Sequence, residues 1–511
     1  MERVSDNITK EDILSWQKDV VIIKAPTGSG KSYFVKNSIY KVAKQNNKKI
    51  LFLIHRSNCK NQFEMEIAES GSDDVIDIKT YQILEARKHK YKKNFDFSSY
   101  QYIVCDEFHY FMGDAAFNKT TDISLNMILK QTHTTRIFMS ATGDFVKEYI
   151  NKVKKIKSID YELNITYEYI SSLKFFNKDE SMELFMEEAI KNKDKAIFFI
   201  QSAKKAYELY FKYKDYCLFN CSKSNESGFY KYVDNNKITE MLKNERFEEQ
   251  ILITTSCLDA GVNIIDTDLK HIVVDIEDIG SLIQCIGRKR IQSKDDTFHL
   301  YVKGISNKQL GGKITNLNNR IKMADYLDEH TVKEYIEKYS RTYDANNIVY
   351  DDVVEEADKG TKVINELMYF KCKNDLKIIN MMLKRYGDFG YYKYIATTLG
   401  FFDKDYGRYT YQIIEEDFKN TQLERYLDKL KGKALWKDAQ DELIQFIGLK
   451  DKKYRLQTSV NQLNSYLESN EIPYKIISKE DRRKLKNGKR NNYFGKRYWI
   501  ITKIKKMDST A

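Results

Sequence analysis

Proline is nearly absent from this chain: among 511 residues only Pro26 and Pro473 occur. Proline-rich linkers therefore do not mark its domain boundaries, which must be read from where strand-like runs begin and stop. No window approaches the roughly 18 uncharged apolar residues of a membrane-spanning helix, and no membrane partner is expected. The opening residues, MERVSDNITKEDILSW, mix charges of both signs with apolar positions. They show neither the apolar stretch of a secretory signal nor an acid-poor, Arg-rich transit pattern, so a cytoplasmic location is expected. Cysteine is also sparse, at seven residues, an odd number. Cys59, Cys105, Cys257 and Cys285 sit in apolar or motif-like surroundings, as reduced core thiols do, and no disulfide frame is implied. Cys217 and Cys221 form a lone CxxxC, a poor zinc or cluster signal without a second pair. Fixed-period repeats and low-complexity blocks are missing as well.

What is present is length, apolar content and an uneven charge. Typical domains of about 100 to 200 residues imply roughly three or four units. A hydrophobic content of 42% is enough to fill their cores. From residue 20 to about 300, β-rich runs alternate with longer helical segments: VVIIKA, KKILFLI, YQYIVCDE and TTRIFMSA, then KAIFFIQ, EQILITTS, HIVVDIED and FHLYVKG. This is the rhythm of parallel sheets covered by helices, an α/β class. A charged stretch from Phe145 to about Ser158 separates two groups of strands, which predicts two α/β domains in series, residues 1–157 and 158–305. Charge-rich helical segments then suggest a helical accessory domain over 306–433. The last segment, 434–511, reads as helix, helix and basic β-hairpin, resembling a winged helix. Between Lys479 and Lys506 twelve lysines and arginines face two acids, so nearly all of the chain's +12 charge lies there. Such a concentration is a footprint for a polyanion.

The chemistry begins at APTGSGKS, Ala25 to Ser32, between an apolar run and the helix-like YFVKNSIYKVAK. Thr27, Gly28, Ser29 and Gly30 form a loop whose backbone N–H groups suit a phosphate. Lys31 can reach the β/γ oxygens, and Ser32 can ligate Mg²⁺. About 75 residues on, strand YQYIVC runs into Asp106-Glu107-Phe108-His109. An acidic pair at the C-terminal end of a strand is where open α/β sheets place ligands. Asp106 suits Mg²⁺, and Glu107 suits a base that orients and deprotonates the attacking water.

These residues resemble the superfamily 2 DExH helicases, DEFH standing as the DExH box, over roughly residues 20 to 305. The resemblance implies two tandem RecA-like P-loop domains that use ATP and Mg²⁺. Ser140-Ala141-Thr142 is similar to the family's SAT motif, which with His109 would couple hydrolysis to movement. Arg56 and Gln62 in HRSNCKNQ, then Thr80-Tyr81-Gln82, resemble nucleic-acid contacts. Thr254 and Thr255 resemble binders of the strand backbone, while Gly261 and Asn263 resemble nucleotide-facing positions. Gln284 and Arg288 in QCIGR match the QxxGRxxR motif, in which glutamine senses the γ-phosphate and arginines act as fingers across the cleft. Ile291 holds the last arginine's place and Arg290 lies one residue earlier, a shifted candidate for the second finger.

The resemblance implies a nucleic-acid helicase or translocase acting on single-stranded or tailed duplex nucleic acid, DNA ahead of RNA. The general build is similar to helicases of phages and integrated elements of Gram-positive bacteria, where replication or repair partners are expected. An ATPase switch in a defence complex, hydrolysing without unwinding, shares every motif, as does an RNA helicase. A binding protein with a decayed motor is disfavoured by the intact Lys31, Asp106, Glu107, Gln284 and Arg288. No obvious aromatic-Gln element precedes the loop, since Gln17 lies too close, so loose nucleobase choice is expected. In the basic tail, Arg482, Arg483 and Lys484 are the expected phosphate contacts, with Tyr493, Phe494, Tyr498 and Trp499 as stacking faces or hairpin core.

Overall fold

A computed structural model of the chain describes residues 2–504 apart from positions 56, 90–93, 117, 119, 224–227, 256–261, 340–347, 355–358, 452–454, 471 and 486–488. The chain divides into two compact units, Met1–Tyr411 and Gln412–Ala511. In the first unit β1 (Val20–Lys24), β2 (Lys49–Ile54), β3 (Ile76–Thr80), β4 (Tyr100–Asp106), β5 (Thr135–Ser140) and β6 (Ser158–Glu162) make a parallel sheet in the order β3-β2-β4-β5-β1-β6. The central strands are buried on both faces, which is why VVII and ILFLI read as continuous apolar runs rather than alternating ones.

A second parallel sheet follows from β7 (Ile170–Phe176), β8 (Lys195–Ile200), β9 (Cys217–Asn220), β10 (Ile251–Thr254), β11 (Leu269–Asp275) and β12 (Phe298–Lys303). Its order within this unit is β7-β12-β11-β8-β10-β9. The tandem α/β architecture expected from the strand rhythm is thus present. Cys105, Cys217, Cys221, Cys285 and Cys372 are buried and in no disulfide.

Three boundaries differ from the sequence reading. Ser158–Glu162 pairs in register with β1, so the first sheet runs past residue 157. Ser-Ile-Asp-Tyr-Glu alternates as a half-covered edge strand does, and Ile159 and Tyr161 pack on the core beneath. Residues 306–411 are not a body of their own. Helices Asn307–Glu329 and Glu366–Arg385 send Ile321, Met323, Ala324, Leu367, Met368 and Cys372 into the same cluster as Phe108, Phe111, Leu125 and Phe138 of the first sheet and its covering layer. An antiparallel hairpin, β13 (Val349–Val354) with β14 (Lys359–Ile364), interrupts those helices.

The 366–385 helix is tied at both sides. The Tyr149 hydroxyl and the Lys154 ammonium each donate to Glu366 at 2.6 Å. Five residues on, Lys371 lies 3.4 Å from Asp278 of the second sheet's layer and 3.1 Å from Asp375.

The second unit starts earlier than residue 434. Helix Ile414–Leu430 contributes Leu423 and Leu427 to a core shared with Leu443, Ile447, Leu463, Leu467, Ile476 and Ile501. Helices Lys437–Ile447 and Val460–Ser469 and an antiparallel hairpin of Tyr474–Glu480 with Arg497–Lys503 follow. Among the described residues no helix is long and apolar enough to cross a membrane.

Candidate active site

The site begins where β1 ends. The Ala25 amide donates to the Ser140 carbonyl at 3.1 Å, so the phosphate-loop candidate starts level with the end of β5. Gly28 and Gly30 lie at φ 86° and 80°, left-handed backbone that side chains rarely adopt. Gly30 then opens helix Lys31–Phe34, which the buried Phe34 anchors. Lys31 is only 8% exposed, and its ammonium donates to the carbonyls of Ala25 and Pro26 at 3.1 and 3.2 Å. Burial lowers its pKa, opposed by the charges of Glu107 and Asp106. The Ser29 hydroxyl is turned inward, donating to the Pro26 carbonyl at 2.7 Å, so this side chain shapes the loop. Thr27 and Ser32 are half-buried.

The acidic pair sits at the end of β4, as the sequence implied. Glu107 has φ 48°, an uncommon conformation for a residue with a side chain and one that concentrates at functional positions. Burial and the neighbouring Glu107 charge push the Asp106 carboxyl upward. Glu107 moves the other way: burial opposes its ionisation, but Lys31 and His109 outweigh that and hold it below the usual carboxylate range. One acid is thus favoured as the anion beside a partner that resists charge.

From Glu107 a chain of polar contacts runs to the second sheet. His109 Nδ1 lies 3.3 Å from Glu107 Oε2 and 2.9 Å from Ser140 Oγ. The Thr142 amide donates to Ser140 Oγ at 3.1 Å. Gln284 Nε2 donates to Thr142 Oγ1 at 3.1 Å, and Arg288 Nη2 donates to Gln284 Oε1 at 2.9 Å. Gln284 and Arg288 are 1% and 2% exposed. Arg288 Nε also donates to the Gln284 carbonyl, and Nη1 to that of Val262. A Cβ at Gly287 would collide with the Thr27 hydroxyl, so the QCIGR backbone lies against the phosphate loop.

Arg290 belongs to the same corner. Its Nε donates to Asn263 Oδ1 at 2.8 Å, and Asn263 in turn donates to Glu245 at 2.7 Å. Burial, with Arg288 nearby, lowers the Arg290 pKa to about 10. Lys289, between the two arginines, is instead paired with Asp296 at 2.6 Å and donates to the carbonyls of Asp266 and Leu269.

The strand-contact candidates are less concentrated. Arg56 and Gly261 lie outside the described residues, as does the side chain of Gln62. Thr80 ends β3 and is buried; Thr254 ends β10, buried like its neighbour Thr255, to whose carbonyl its hydroxyl donates at 3.1 Å. Arg482, Arg483 and Lys484 are exposed in the second unit. Arg483 is engaged with Asp481 at 2.6 Å, and Arg482 lies 3.4 Å from Glu480.

Sequence reasoning missed the polar network behind the DEFH turn. Buried Glu85 accepts from the hydroxyls of Tyr110 and Ser124 at 3.0 and 2.8 Å and from the Asn118 amide at 2.7 Å. Gln82 donates both to the Tyr110 hydroxyl and to the His55 carbonyl, while the Tyr81 hydroxyl donates to the Asp106 carbonyl at 2.9 Å. The usable signal was Tyr110, an aromatic with a polar tip directly after the box.

Residues 2–145 match the family model described as type III restriction enzyme, res subunit. No curated protein matches the chain. Among solved structures the chain is similar to Dbp5 of S. cerevisiae bound to RNA and ADP BeF3, as its L327V variant. There the identity is 15%, covering 58% of this chain and 82% of that one, with a TM-score of 0.43. It is similar to Mss116p bound to ssRNA and AMP-PNP at 16% identity, covering 74% and 87%, TM-score 0.41. The helicase MrfA bound to DNA and AMPPNP gives 17% identity, covering 57% of this chain and only 47% of MrfA, TM-score 0.42. The family match covers residues 2–145, and the two parallel sheets with their motif residues give the chain its tandem α/β fold.

Proposed function

We propose that this chain is a nucleic-acid-stimulated ATPase that translocates along, and unwinds, nucleic acid. The observation that carries the reading is the unbroken polar path from Glu107 through His109, Ser140 and Thr142 to Gln284 and Arg288. It joins a hydrolytic pair on one sheet to charge-stabilising groups on the other, so a change at the phosphates is felt by both.

The residues fit a Mg²⁺-nucleotide. Two adjacent half-buried carboxyls, one resisting ionisation, lie near a buried ammonium that follows two left-handed glycines. Gly28 to Ser32 and Lys31 would hold the phosphates, and the Ser32 hydroxyl and Asp106 would hold Mg²⁺, which when bound neutralises phosphate charge. Glu107, kept anionic, takes the proton of the attacking water at its carboxylate. Gln284 reports the state of the cleft to Thr142, and Arg288 with Arg290 sits where charge develops. Arg56, Thr80, Thr254 and Thr255 are the strand contacts in this reading. DNA is the favoured strand, supported by a family description that names a restriction-enzyme subunit, and replication or repair of a phage or mobile element is the favoured setting. Loose nucleobase choice belongs to the same reading.

The test is steady-state ATP hydrolysis with and without single-stranded DNA or RNA, beside displacement of matched duplexes bearing 3′ or 5′ tails. Stimulation and displacement are expected, and Glu107→Gln should bind ATP but not turn over. Undiminished hydrolysis by Glu107→Gln overturns the assignment. Stimulation without displacement makes the protein a switch, and displacement of RNA alone makes it an RNA helicase.

A further inference from the structure

Three aromatic side chains from distant parts of the second unit meet at its surface. Trp436, at the start of helix Lys437–Ile447, stacks on Tyr493 with ring centroids 4.3 Å apart and planes at 25°, and lies 5.1 Å from Tyr498. These rings are not what holds the hairpin together. Successive strand residues point to opposite faces, so Trp499 enters the core with Ile476 and Ile501 while Tyr498 faces the other way. Tyr493 remains 47% exposed although a stacked partner lies against one face of its ring. An exposed aromatic cluster of this kind needs a second reason.

The turn that presents Tyr493 is held in place. The Tyr493 amide donates to Asn491 Oδ1 at 2.6 Å, the Gly495 amide donates to the Asp481 carbonyl at 2.7 Å, and the Lys496 amide donates back to the Tyr493 carbonyl at 2.9 Å. Gly495 at φ 82° makes that tight return possible. Asp481, the acid nearest the turn, is silenced by Arg483 at 2.6 Å and by Asn491 at 3.2 Å. The remaining rim is mainly cationic, with Glu480 lying 3.4 Å from Arg482. The Lys496 ammonium lies 5.5 Å from the Tyr493 ring, Arg490 lies 4.7 Å from that of Phe494, and Arg482, Lys484 and Arg497 are exposed. A rigid aromatic face surrounded by positive charge is complementary to one class of partner, a base flanked by phosphates. Pre-ordering of the turn removes part of the entropy cost of binding.

We propose that Trp436, Tyr493 and Tyr498 form a base-stacking platform for the strand handled by the motor, with Arg482, Lys484, Lys496 and Arg497 meeting the adjoining phosphates. The proposal rests on the nucleic-acid-stimulated ATPase reading. Stacking and charge are separable because only charge releases counterions, so loss of a ring weakens binding without altering its salt dependence.

The full chain is titrated with labelled (dT)20 and (rU)20, and with a dT oligonucleotide carrying abasic sites, at several salt concentrations. Tyr493→Ala should weaken binding roughly ten- to a hundredfold on at least one of the two intact strands, with an unchanged slope of log K against log salt. Tyr493→Phe, which keeps the ring, should restore affinity. The wild-type chain should discriminate against the abasic strand, and Tyr493→Ala should not. Binding by Tyr493→Ala equal to wild type, or a wild type indifferent to abasic sites, overturns the platform. A wild-type ATPase that no strand stimulates instead overturns the motor reading, so the two failures are told apart.

Discussion

The cleft between the two sheets and the hairpin of the second unit are both rich in cations, and they use them in opposite ways. Lys31 and Arg288 in the cleft, and Lys289 just behind it, are almost wholly buried, and each has carbonyl or carboxylate partners. Taking a charge out of water costs several kcal/mol, so such groups persist only with their partners in place. In the hairpin, Arg482, Lys484, Arg490, Lys496 and Arg497 stay in water. There a charge costs little and acts by releasing counterions from a polyanion. Buried cations should therefore behave as a unit, with large effects from single changes, whereas exposed ones should add in small, salt-dependent steps.

The sharpest way to break this contrast is to remove one buried cation. Lys31→Ala should abolish measurable ATP hydrolysis, because the two carboxyls lose the ammonium beside them as the phosphate loses its anchor. Residual turnover within tenfold of wild type would place Lys31 among the additive charges. Next comes Lys289→Met, which strands Asp296 as an unpaired buried acid and should lower unfolding free energy by about 3–5 kcal/mol in a urea titration. The partner substitution Asp296→Asn should cost comparably, since either change breaks the same pair.

On the exposed side, replacing Arg482, Arg483 and Lys484 together should flatten the log K against log salt slope by about two units rather than three. Arg483 is already committed to Asp481 and has little left for a phosphate. A slope lower by three would mean that the strand displaces that ion pair, and no change would mean that the charge faces only solvent. The smallest effect expected concerns the nucleobase. GTP and CTP should support kcat/KM within about tenfold of ATP, a gap of ~1.4 kcal/mol, and strict ATP preference would reveal a base-reading group.

What the sequence disclosed follows the same division. Gly28, Gly30, Lys31 and the DEFH turn were legible because short-range chemistry dictates them: a strand, a left-handed turn and acids at a strand end. The encounter of Thr27 with Gly287 was not legible, since it depends on two sheets meeting, and neither was the pairing of Lys289 away from Arg288 and Arg290, which depends on how the chain turns back within the second sheet's own layer. The edge strand Ser158–Glu162 was assigned to the second domain because its alternation with polar residues hid its pairing with β1. Helices after residue 306 were anticipated, but not that Leu367, Met368 and Cys372 fill the first sheet's core, because amphipathic spacing shows that a face is apolar and not what covers it. Trp436 gave no sign of joining Tyr493, more than fifty residues away.

The measurement that tests the central claim most directly is the steady-state kinetics of Arg288→Ala with saturating single-stranded DNA. If the second sheet supplies charge stabilisation to a nucleotide gripped by the first, kcat should fall by about 10³-fold or more while nucleotide affinity changes far less. A change in KM alone, with kcat preserved, would contradict the account and leave the path from Glu107 to Arg288 a structural contact between the sheets.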